Sequence, residues 1–249
     1  MALSASEMSA LGASGLLGGL MHREPFCEFF TDADVHRRHT PGESVIRKGS
    51  TPAGMYLVVH GSLEVVLSNR NGVEHVVRIA RTGHCMGLEN ALTGTPSAYE
   101  LRTLTEASVV LVPMATLANW IDASVLFARR LMNLLADDVA DLYEELEGLQ
   151  NRSTIERLAC YLHCGEGRVR RGEPLRSEYN ISLPYMKLAQ RLGASQPHLS
   201  RALRNLEEAG MIDREGRRIR ITDRHAFARL LCPTCQQAVT RNDVLRPKS

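Results

Sequence analysis

The chain lacks any apolar run long enough to span a bilayer, and its opening segment, Met1 to Leu20, lacks the basic start of a secretory signal. No membrane partner is expected, and the reading is a cytoplasmic protein. Common catalytic motifs are missing too: there is no glycine-rich phosphate loop, no Gly-x-Ser-x-Gly elbow and no His-Glu-x-x-His segment, and the nine histidines are scattered. No enzymatic activity is expected. Net charge is nearly absent at +2, but this total conceals an asymmetry. Residues 151–249 hold 19 Lys and Arg against 10 Asp and Glu, whereas residues 1–150 hold 11 against 18. A polyanion is drawn to the C-terminal part and repelled by the N-terminal part.

With 249 residues and 44% hydrophobic content, the chain can bury cores for about two domains. Residues 1–29, rich in Ala, Ser and Gly around scattered Leu, read as a flexible or weakly helical arm. From residue 30 to 113 the pattern changes to short β-branched runs between turns: Met55 to Val59, Leu63 to Leu67, His75 to Ile79 and Val109 to Val112. Their spacing predicts an antiparallel β-barrel or jelly roll, with a hairpin turn at Asn69-Arg70-Asn71-Gly72.

Residues 114–150 read as one long helix. Val125, Ala128, Met132, Leu135, Val139, Leu142, Leu146 and Leu149 follow one another at alternating spacings of three and four. That narrow seam predicts a two-stranded coiled coil and therefore a parallel homodimer. Asp137, Asp138, Asp141, Glu144, Glu145 and Glu147 flank it and carry much of the N-terminal negative charge.

Residues 151–231 contain a stretch that reads as two short helices and a tight turn. Leu188, Ala189 and Leu192 form one apolar stripe, Gly193 permits the turn, and Ser195 caps a helix whose own stripe is Leu199, Ala202, Leu203 and Leu206. Gln196, Pro197, His198, Ser200, Arg201 and Arg204 decorate the opposite face with groups suited to base edges and phosphates. Met211 to Ile221 then alternates around a Glu-Gly turn as a β-hairpin carrying Arg214, Arg217, Arg218 and Arg220. The whole predicts a winged helix-turn-helix binding duplex DNA.

Barrel, dimer helix and winged helix in this order resemble the CRP/FNR superfamily of bacterial transcription regulators. The resemblance rests on Pro41-Gly42, Gly49, Met55-Tyr56-Leu57-Val58 and Gly61-Ser62-Leu63 in the barrel, and on Ile181 through Arg201 in the DNA-binding part. It implies an α+β chain, a near-palindromic operator, RNA polymerase as a further partner, and an effector loop after Gly83. In cyclic-AMP-binding members that loop supplies a Glu for the ribose and an Arg for the phosphate. Here the loop carries His84, Cys85, Met86, Gly87, Leu88 and Glu89, the Glu position falls on Leu88, and no Lys or Arg occurs from Gly87 to Leu101. Cyclic AMP is therefore not expected.

The effector thus stays open. The resemblance to haem sensors makes His84 and Cys85 candidate axial ligands, while the N-terminal iron–sulfur site of FNR-type members is absent because only Cys27 lies there. Cys160 and Cys164 stand one helical turn apart, and Cys232-Pro233-Thr234-Cys235 has the spacing of a zinc or iron–sulfur knuckle or a redox pair. If the tail, residues 232–249, folds back, the four thiols, with His163 as a reserve ligand, make one metal or redox site. The alternative from another class is a regulatory or scaffold module that binds no DNA.

Overall fold

The β-branched alternation of the N-terminal part folds as eight strands in a computed structural model that describes residues 4–30, 36–164 and 175–237. The strands are β1 (His36–His39), β2 (Ser44–Ile46), β3 (Gly54–His60), β4 (Ser62–Ser68), β5 (Glu74–Arg81), β6 (Cys85–Met86), β7 (Glu100–Thr103) and β8 (Ala107–Pro113). They form two four-stranded antiparallel sheets, ordered β1-β8-β3-β6 and β2-β7-β4-β5. Side chains from both sheets, among them Val58, Leu63, Val65, Leu101 and Val109, share the core between them. Because strand side chains alternate, Met55, Leu57, Val59, Val110 and Val112 face the other way and need a second cover. The turn between β4 and β5 is the expected one. Asn69 Oδ1 accepts from the N–H groups of Asn71 and Val73, and Gly72 adopts a φ of 75°.

That second cover is supplied by helices, including two where a flexible or weakly helical arm was expected. α1 (Ala5–Gly12) carries a reciprocal capping box between Ser4 and Glu7, and α2 (Phe26–Phe29) follows. Leu11, Leu16, Leu17, Leu20, Met21 and Phe26 are all buried, so the apolar side chains of residues 4–30 belong to the core. The sequence pattern missed this because Ala, Ser and Gly dominate the composition while the few Leu and Phe do the packing. Glu7 Oε1 accepts from the Ser108 hydroxyl at 2.8 Å and lies 3.4 Å from His36 Nε2, which fastens α1 to β1 and β8.

The expected single helix over 114–150 is two helices. α4 (Met114–Ala123) stops at Ser124, whose extended backbone (φ −141°, ψ 103°) breaks the run, and α5 (Val125–Asn151) starts afresh with Ser124 Oγ accepting from Phe127 N–H. Trp120 and Phe127 meet Phe26 at ring-centroid distances of 4.8 and 5.4 Å. α5 runs across the division of the chain into two compact units at Ala140 and Asp141.

The second unit contains α6 (Thr154–Cys164), β9 (Glu178–Asn180), α7 (Tyr185–Arg191), α8 (Gln196–Glu208), β10 (Ile212–Glu215), β11 (Arg218–Ile221) and α9 (Arg224–Ala228). β9 joins the predicted hairpin as a third antiparallel strand, β10-β11-β9, which the sequence pattern did not show. The hairpin turns on Gly216 and Arg217, one residue later than the Glu-Gly reading, because Glu215 and Arg218 are still paired across the ladder. Leu158, Leu162, Leu188, Leu203, Ile219 and Phe227 form its interior.

Candidate nucleic-acid interface

Each stripe expected for the helix-turn-helix is buried: Leu188, Ala189 and Leu192 on α7, and Leu199, Ala202, Leu203 and Leu206 on α8. Gly193 joins the helices at a φ of 58°, a region that any side chain would make costly. Ser195 caps α8, accepting from the His198 N–H at 3.4 Å while its hydroxyl also meets His198 Nδ1 at 2.8 Å. Pro197 sits in the first turn, where a missing N–H costs little.

The opposite face is open to solvent. Gln196, Pro197, His198, Ser200, Arg201 and Arg204 are all exposed. Among the described residues Arg201 and Arg204 form no ion pair, so their guanidinium groups are free to meet a phosphate or a guanine edge. The hairpin arginines differ among themselves. Arg217, at the turn, is exposed and unpaired among the described residues. Arg218 donates to Glu178 at 2.6 Å, which holds the Glu178 carboxyl below its usual range, and Arg220 shares the same carboxylate. Arg214 is half-buried and donates to both Glu207 oxygens, at 3.0 and 3.2 Å. Expected on the DNA face, this side chain joins β10 to α8 through the Glu207 carboxylate.

Supports that sequence reading missed hold this face in position. The Tyr185 hydroxyl donates to the Gly216 carbonyl, joining the start of α7 to the hairpin turn. Arg191 grips both oxygens of Glu145 on the last turns of α5, and Arg157 donates to the carbonyls of Leu192 and Arg152 at 2.8 and 2.6 Å.

Along α5, Val125, Met132, Val139, Leu142, Leu146 and Leu149 are exposed in the isolated chain. Ala128 is half-buried, and Leu135 packs partly against the core that holds Trp120 and Phe127. Leu149 reaches over the helix-turn-helix turn, within 2.7 Å of where a β-carbon on Gly193 would stand. Phe127 and Leu131 point to the N-terminal core, so the helix has an apolar face already covered and a second one that is not.

The effector-loop residues do not converge on one point. Cys85 and Met86 are consecutive in β6, so Cys85 lies in the core shared with the helices and Met86 in the core between the sheets. His84 Nδ1 accepts from the Arg81 N–H at 3.3 Å. Gly87 opens α3 (Leu88–Thr93) with a φ of 75°; Leu88 is buried and Glu89 accepts from the Tyr99 hydroxyl at 2.7 Å. That hydroxyl also accepts from the Gly87 N–H at 3.1 Å, and burial beside Glu89 pushes the Tyr99 phenol well above its ordinary range.

The four C-terminal-half cysteines do come together. The sulfurs of Cys160, Cys232 and Cys235 lie within 4.8 Å of one another, and Cys164 Sγ is 3.2 Å from Cys235 Sγ. The beginning of the expected tail, up to residue 237, is therefore packed; the rest lies outside the described residues.

Comparison with known proteins agrees with this architecture. Residues 36–124 match the family of cyclic nucleotide-binding domains, and residues 156–230 match the Crp-like helix-turn-helix domain. The chain is 27% identical over 191 residues to the Lacticaseibacillus casei protein described as "Probable transcriptional regulator flp", covering 76% of this chain and 84% of that one. It is 26% identical over 207 residues to the HTH-type transcriptional regulator Cmr of Mycobacterium tuberculosis, covering 83% and 80%. The structure of FixK2 from Bradyrhizobium japonicum shares the fold with a TM-score of 0.66 at 21% identity, over 79% of this chain and 96% of that one.

Proposed function

Because the chain belongs to the CRP/FNR superfamily of transcription regulators, we propose that it works as a homodimer in which two α8 helices read the half-sites of a near-palindromic operator. The observation that carries this reading is the exposed face of Gln196, His198, Ser200, Arg201 and Arg204, backed by a fully buried stripe and capped at Ser195. Arg201 is assigned to a guanine through its O6 and N7, and Arg217 to the phosphate backbone. The uncovered seam of α5 supplies the dimer contact, and two-fold symmetry then sets the half-sites about one helical turn apart. RNA polymerase is the further partner, and the cytoplasm the site of action.

The β-sheet unit is the sensor in this reading. A cyclic nucleotide does not fit its loop. The Gly87 N–H is engaged by Tyr99, the first turn of α3 carries the Glu89 carboxylate, which repels a phosphate, and no cation lies between Gly87 and Leu101. For haem, the candidate ligands are His84, whose Nδ1 accepts from the Arg81 N–H, and Cys85, which is buried in the core shared with the helices. Any effector acts by favouring one arrangement of the two DNA-binding units in the dimer over another.

The test is to select bound duplexes from a random-sequence pool and to measure binding of the selected and a scrambled sequence by fluorescence anisotropy at several salt concentrations. Arg201→Ala is expected to weaken the selected sequence by about 5- to 150-fold and the scrambled one far less. Arg217→Ala is expected to weaken both alike and to lower the salt slope by about one. Equal losses on both sequences for both variants overturn the assignment, and a chain that enriches no sequence is a scaffold module instead.

A further inference from the structure

Cys160 and Cys164 occupy one face of α6, four residues apart, and Cys232 and Cys235 flank Pro233 and Thr234 in the segment after α9. Cys164, Cys232 and Cys235 are buried and Cys160 is half-buried, whereas Pro233 between them is exposed. The segment therefore presents its two sulfurs inward, toward those of α6. Backbone amides already point at sulfur: Cys232 N–H donates to Cys160 Sγ at 3.2 Å, and Cys235 N–H to Cys232 Sγ at 3.4 Å. Such bonds favour the thiolate over the thiol. The Arg152 guanidinium, 3.8 Å from Cys160 Sγ, adds positive charge at the edge.

Four sulfurs this close are poorly explained as core packing, which needs no alignment of amides on them. A Zn–S length of about 2.3 Å in a tetrahedron places the sulfurs about 3.8 Å apart. The sulfurs of Cys160, Cys232 and Cys235, within 4.8 Å of one another, and the 3.2 Å approach of Cys164 to Cys235 bracket that value; Cys164 lies outside this trio and joins it through Cys235. An iron–sulfur cluster, several atoms across, holds its thiolates farther apart than a single ion does.

We propose that Cys160, Cys164, Cys232 and Cys235 bind one zinc ion as a closed four-thiolate centre. The ion ties the segment after α9 to α6, the first helix of the DNA-binding unit. It exchanges no electrons and leaves no position open for a substrate. Its binding releases the thiol protons to solvent as the four Zn–S bonds form.

The experiment uses the full chain, purified under nitrogen with a thiol reductant and no chelator. Elemental analysis is expected to find one zinc per protomer, unchanged in Cys27→Ser and lost in Cys160→Ser and Cys235→Ser. Should those variants fail to fold, the wild-type chain stripped of metal and titrated with Co²⁺ keeps the idea testable. Saturation at one equivalent with intense red-region absorption of tetrahedral thiolate coordination supports it. Iron with inorganic sulfide at these residues, a Cys164–Cys235 disulfide in place of metal, or no Co²⁺ binding overturns it. None of these readouts depends on DNA binding.

Discussion

Truncating Leu142 to alanine tests the seam of α5 most directly. In the isolated chain Leu142 exposes 66% of its surface. Complete burial of a leucine is worth about 1.5–3 kcal/mol, so covering this exposed part contributes about 1–2 kcal/mol per protomer. Two-fold symmetry counts the position twice, giving about 2–4 kcal/mol per dimer, or about a 30- to 1,000-fold rise in the dimer Kd. Sedimentation equilibrium over a range of protein concentrations reads this shift. Asn133→Ala, also exposed on α5 but off the seam, is the control and leaves the Kd unchanged. Operator affinity at concentrations between the two dimer constants falls in parallel, because only a dimer spans both half-sites. A wild-type chain that stays monomeric throughout the range, or equal effects of Leu142→Ala and Asn133→Ala, refutes the reasoning.

Gly193→Ala places a side chain at a φ of 58°, which costs about 1–2 kcal/mol; the added carbon also meets Leu149 Cδ2, a flexible end that can rotate away. Chemical denaturation that shows no loss would contradict the turn. Phe26→Ala empties a fully buried site against Trp120 and is expected to cost about 3–5 kcal/mol. Because Trp120 is the chain's single tryptophan, its emission reports whether the N-terminal helices remain docked. Burial works to raise the Glu7 carboxyl, but hydrogen bonds from Ser4 and Ser108 and the nearby His36 outweigh it and hold the pKa at about 2. A depressed carboxylate stabilises the fold above its unfolded value and loses that contribution as pH falls toward about 2. Glu7→Gln is therefore less stable than wild type near neutrality, and the gap closes between about pH 5 and pH 2. A gap that is constant with pH counts against the charge.

The regular patterns were legible because they are local. The period-three-and-four stripes of α7 and α8, the alternation of β3, β4, β5 and β8, and the Asn-Gly turn at Asn71 and Gly72 each follow from backbone geometry. The break at Ser124 was not legible, since the apolar pattern continues through it while its extended backbone and side-chain cap stop the helix. β9 escaped because three residues, Glu178 to Asn180, carry no periodicity of their own and become a strand only by pairing with β11. The N-terminal arm was misread for the opposite reason: its composition is that of a loop, yet Leu11, Leu17 and Phe26 find a waiting apolar face on β3 and β8.

The sequence by itself determined the order of the parts, the apolar faces of their helices and strands, and the groups displayed on the face of α8, because each depends on neighbours a few residues away. Tertiary structure decided which of the displayed arginines stay free. Arg214 and Arg218 are claimed by Glu207 and Glu178, whereas Arg201, Arg204 and Arg217 meet no carboxylate among the described residues. It also brought Cys160 and Cys164 to Cys232 and Cys235, separated by some seventy residues, into one cluster. Short-range geometry is written in spacing, but the pairing of charges and thiols depends on distances that only the folded chain sets.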